Sequence, residues 1–142
     1  MFRYILGMSD SLSVIRSELK SGCDPLDHHL IKLILFSNSP SRDHWKHEVY
    51  SFLNKVSRAK NNKKFPKYQF IRAALAADED ILDNYIIQVK SDYSDLTCSN
   101  ISDNAVVSIV TAYHDWLAKQ LSEKGIVSKA DVLAELVTLG IE

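Results

Sequence analysis

Apolar side chains recur at three- and four-residue intervals along nearly the whole chain, and nowhere do they alternate. The clearest case is Trp45, Val49, Phe52, Leu53 and Val56, at i, i+4, i+7, i+8 and i+11, a single stripe along one helix. A chain patterned this way has helices to pack and no strand to pair. Further stripes are Leu12, Ile15 and Leu19, stopped by Gly22, and Leu26, Leu30, Leu33 and Ile34, opened by Asp24 as cap and Pro25 at the first helical position. Phe70, Ile71, Ala74 and Leu75 mark a short helix over about 67–76. Asp78-Glu79-Asp80 opens a helix carrying Ile81, Leu82, Tyr85, Ile86 and Val89. From Asp103 runs a long helix with Val106, Ile109, Val110, Tyr113, Trp116, Leu117 and Leu121. Ser128 caps a last one with Val132, Leu133, Leu136 and Val137, ending at Gly140. Residues 37–41 and 91–103 lack a period and read as loops. The expectation is an all-α, compact single-domain bundle of about six to seven helices over residues 1–142. Val49, Phe52, Ile86, Val110 and Leu117 are its expected core positions.

At 142 residues, with 46% hydrophobic and 25% charged side chains, the chain is long and apolar enough to bury a core without covalent staples. Its two cysteines, Cys23 and Cys98, are too few for a secreted disulfide scaffold and read as reduced thiols. Residues 1–8 hold too short an apolar cluster for a secretory signal. The most apolar stretch, Leu30 to Phe36, carries Lys32 and falls well short of the roughly 20 residues a membrane helix needs. The expected location is cytoplasmic, with no membrane association.

A formal net charge of −1 hides a sorted distribution. Residues 42–73 hold nine basic side chains against Asp43 and Glu48, a net of +7. Residues 74–142 hold twelve acids against four lysines, a net of −8. A field of one sign steers and selects partners of the other. Helix capping accounts for one or two carboxylates per helix start, and Asp92 and Asp95 serve no obvious cap. The favoured reading is a non-enzymatic protein-binding protein whose acidic second half docks a basic protein partner through Asp78, Glu79, Asp80, Asp83, Asp92 and Asp95. Immunity proteins and antitoxins that mask nuclease toxins work this way, by imitating the charge of nucleic acid; the likeness is one of function, carried by no particular stretch of this sequence.

The alternative lies in the basic segment. Arg42-Asp43-His44-Trp45-Lys46-His47 places a polar residue directly after an Arg and a His five residues on, at the start of a helix in an all-α chain. This resembles the short motif of HEPN-type ribonucleases. The resemblance covers six residues and implies that His47 acts on the 2′-hydroxyl or leaving oxygen while Arg42 stabilises the phosphate in the transition state. Lys60, Lys63, Lys64 and Lys67, interleaved with Phe65, Tyr68 and Phe70, would suit an RNA backbone and stacked bases. The plainer reading, a solvated helix start followed by a lysine-rich loop, is favoured, because a whole-chain pI near 6.5 is low for a dedicated nucleic-acid binder.

Other constellations carry less. His44, His47 and Glu48 share one helical turn, but their order matches neither His-Glu-x-x-His nor its inverse, and Cys23, His28 and His29 have no second ligand pair beside them. No metal and no cofactor is expected. His114-Asp115 is a bare dipeptide without catalytic partners, and four glycines cannot build a phosphate loop. The final helix follows a turn like that of a helix-turn-helix, yet Lys129, Asp131 and Glu135 leave it net negative, which suits an αα-hairpin better than DNA.

Overall fold

Helix α1, residues 24–35, is apolar on nearly every side: Leu26, Leu30, Ile31, Leu33, Ile34 and Leu35 are all buried. A helix with so little polar surface must sit inside others. The computed structural model describes residues 24–59, 68–75, 79–124 and 128–141. After α1 come α2 (Arg42–Ala59), α3 (Tyr68–Leu75), α4 (Glu79–Asp92), α5 (Asp103–Glu123) and α6 (Lys129–Thr138). Among the described residues there are thus six helices and no strand, an all-α bundle as the periodicity requires. The expected helix over Leu12–Leu19 lies outside them.

Ring and ion-pair contacts show how α1 is held. It meets α2 through His29 and Phe52, α4 through His28 and Tyr85, and α5 through Asp27 and His114. The α5 stripe of Val106, Val110, Tyr113, Leu117 and Leu121 is fully buried, packing against α3 and α4. Asp24, the expected cap of α1, is itself helical. The other caps follow the residue chemistry closely. Ser102 accepts from the Ala105 N–H at 3.2 Å, so α5 begins at Asp103 as expected, and Ser128 accepts from the Asp131 N–H at 3.1 Å to start α6. Gly140, at φ +84°, ends α6 in a Schellman turn. Its N–H reaches the Val137 carbonyl and that of Ile141 reaches Leu136, while Ile141 and Leu136 are buried together in the core.

The core differs from the expected stripes at several positions, Tyr85 and Ile109 among them being only partly buried. Phe52 is only partly buried, because α1 presents His29, not an apolar side chain, to that part of α2. Ile81 is 41% exposed, on the flank of α4 that no described helix covers. Leu133 and Val137 are exposed, Val137 at 61%, since α6 touches its neighbours with the face of Val132 and Leu136 alone. Trp116 is half-buried, its ring 5.3 Å from that of Tyr113. Periodicity fixes a helix's apolar sector; how wide a sector gets covered depends on how many neighbours arrive.

Candidate functional site

Carboxylates of the expected acidic face sit on α4 and the loop after it. Glu79, Asp80, Asp92 and Asp95 are exposed and Asp83 is half-buried. Among the described residues none of these five forms an ion pair, whereas Asp103 is bound by Lys90 at 3.1 Å, Asp115 by Lys119 at 3.1 Å and Asp131 by Lys124 at 3.9 Å. Asp78 lies outside the described residues. Twelve residues separate Asp80 from Asp92, so at about 1.5 Å per residue the two groups stand roughly 18 Å apart at opposite ends of one helix. The carboxylates thus fall into two groups at the two ends of α4, with Ile87, 64% exposed, between them along the helix.

Beside the second group the chain builds a cleft. The turn after α1 and the loop after α4 close around a cavity of about 250 Å³ lined by apolar Phe36, Pro40 and Leu96 and by polar Asn38, Ser39, Asp95 and Thr97. Both walls are tied down. The Ser99 N–H donates to the Leu35 carbonyl at 2.6 Å and the Ser99 hydroxyl meets Ser37 at 3.4 Å, while Phe36, Trp45 and Tyr93 pack ring on ring with Lys32 over the Tyr93 face. Cys98, next in the loop, is free and exposed.

Arg42 completes this frame. Its guanidinium donates to the Leu33 carbonyl at 2.5 Å and to that of Phe36 at 3.1 Å, satisfying acceptors that the end of α1 leaves open. It is therefore turned into the protein, and His47 stands exposed one turn on with its ring 3.5 Å from the Ser51 hydroxyl. The structure gives Arg42 a helix-capping task. Lys60, Lys63, Lys64 and Lys67 lie outside the described residues. Arg72, also from the basic segment, has its Nε 3.9 Å from Asp115. Asp115 also accepts a hydrogen bond from the Tyr68 hydroxyl; that bond, with Lys119, holds its carboxyl below the usual range, while Tyr68 and Lys119 are raised in return.

Two polar residues, Asp27, not singled out in the sequence, and His114, set aside there as part of a bare dipeptide, are the most buried of the charged and polar ones. Asp27 is 0% exposed and His114 1%, and His114 Nε2 lies 2.5 Å from the Asp27 carboxylate across 87 residues of chain. A signal for both was present. Asp27 shares its face with Leu30, Ile31 and Ile34, and His114 with Val110, Leu117 and Ala118, so each interrupts an apolar stripe where only a satisfied polar group is tolerated. Nothing reaches this pair from solvent; it joins α1 to α5. Among the described residues no three His, Cys, Asp or Glu side chains are grouped to hold a metal, and no helix is long and apolar enough to cross a membrane. No protein-family model, curated protein or solved structure matches the chain.

Proposed function

We propose that this protein is a non-enzymatic binding protein whose acidic outer surface, centred on α4 and the loop behind it, docks a basic protein partner. The observation that supports it is the set of five carboxylates, Glu79, Asp80, Asp83, Asp92 and Asp95, left without ion pairs among the described residues while neighbouring acids are neutralised. Unpaired carboxylates spaced along one helix repel each other and gain most from a cationic surface. Ile87 between the two groups supplies an apolar centre to a charged rim, the usual anatomy of a protein interface. In its concrete form the partner is a nuclease toxin, and the protein, acting in the cytoplasm, is its immunity- or antitoxin-type inhibitor.

The test is a complex recovered from the source cells at low salt, its affinity then followed by biolayer interferometry. Binding should weaken at least tenfold between roughly 0.05 and 0.5 M salt, as screening shortens, and again on combined Asp80→Asn and Asp83→Asn substitution. A complex indifferent to both changes would end the acidic-face reading. The HEPN-like alternative asks Arg42 for a phosphate contact while its guanidinium holds two backbone carbonyls. Its own assay is incubation with mixed RNA, comparing the natural chain with His47→Ala; cleavage by the first alone would revive it.

A further inference from the structure

We infer that the cleft between the α1–α2 turn and the loop after α4 is a receptor for a single arginine side chain presented by a protein partner. The inference rests on the basic-partner reading above and gives it an anchor point. At about 250 Å³ the cavity is smaller than the roughly 300–1,000 Å³ clefts that hold drug-sized ligands, and suits one side chain. Its lining divides as an arginine divides. Pro40 and Leu96 offer apolar surface to a methylene stem, and Asp95 offers a carboxylate without an ion pair among the described residues. Asn38, Ser39 and Thr97 add neutral oxygens around it, and of these the Ser39 hydroxyl already accepts from the Ser41 N–H at 3.2 Å, keeping one lone pair free.

Two reasons favour arginine over lysine. A guanidinium carries five donors in a fixed plane, able to reach a carboxylate and neighbouring neutral acceptors together, where an ammonium has three. It also sheds water more readily. The site is also rigid before a ligand arrives: Ser99 ties its far wall to Leu35, and Arg42 ties its near wall to Leu33 and Phe36. Little ordering remains to oppose binding.

The experiment needs no partner. N-acetyl-arginine amide is titrated into the isotope-labelled full chain, with amide shifts followed by NMR. Saturable shifts should concentrate at Ser39, Asp95, Leu96 and Thr97, with the lysine analogue weaker and the uncharged citrulline analogue silent. Asp95→Asn, an exposed change that keeps the spectrum dispersed, should weaken the arginine probe about tenfold. Asp80→Asn should leave it unchanged. Equal binding of citrulline, undiminished binding to Asp95→Asn, or shifts scattered over every acidic residue without saturation would each overturn the pocket. Such a failure, beside a protein complex that still responds to salt and to Asp80 and Asp83, would remove the arginine receptor and leave the docking face standing.

Discussion

Asp27 and Asp95 carry the same carboxylate and do opposite things. Asp27, from the stretch of chain with no net charge, is sealed in the core against His114 and ties two helices together. Asp95, from the segment of net −8, stands on a loop at the rim of a cleft with no ion pair among the described residues. What separates them is solvent. Taking an ion out of water costs several kcal/mol unless a partner with good geometry compensates it, whereas a carboxylate in water needs no partner and stays available for one from outside. Charge counted along a sequence finds the second kind of acid and overlooks the first.

The sharpest way to break this comparison is to remove one member of the buried pair. Asp27→Ala or His114→Ala should destabilise the fold by about 3–5 kcal/mol in urea denaturation, because the survivor stays buried after losing its partner across the helices. Replacing both with leucine should recover most of that loss; a double variant as unstable as the singles would mean the pair does more than fill and neutralise its site. Arg42→Ala ranks next. Losing charge-assisted bonds to two carbonyls should cost about 1.5–3 kcal/mol and loosen the turn that forms one wall of the cleft.

A smaller effect is expected at His29, whose ring sits between the two extremes. Burial, aided by Lys32, His44 and His28 and opposed by Glu48, lowers its imidazole from 6.5 to about 4, and its Nδ1 finds no hydrogen-bond partner among the described residues. The unfolded chain therefore takes up the proton first, so the stability due to the neutral ring is complete above pH 6.5 and is lost as the pH falls toward 4. For a site partly open to water the loss should be on the order of 1 kcal/mol. Denaturation midpoints of the natural chain and His29→Gln should converge at acid pH; parallel curves would show that another group titrates there. Smallest of all, Asp80→Asn and Asp92→Asn should stay within about 0.5 kcal/mol of the natural chain, since nothing in the described fold depends on them. A large loss at either would place that carboxylate among the structural ones.

Much of the framework was legible because local rules govern it. Ser128 as cap, Gly140 as stop, the loop at 37–41 and, within two residues at one end and one at the other, that at 93–102 follow from backbone groups that must be satisfied within a few residues. The candidate site was legible only in part. Asp92 and Asp95 could be picked as acids without a capping task, but their distance from Asp80 follows from the length of α4 between them. The cleft had no advance signal, for it exists only where two loops meet through Ser37 and Ser99, 62 positions apart.

By itself, then, the sequence determined that this chain is helical, where its helices turn, and which sector of each is apolar, since capping and periodicity act over one or two turns. Only the tertiary structure decided which apolar residues are covered, leaving Phe52 half-open and Val137 bare, and which polar ones are enclosed. It turned Arg42 inward and brought Asp27 to His114, because burial and ion pairing depend on what packs alongside, and that neighbour comes from a distant part of the chain.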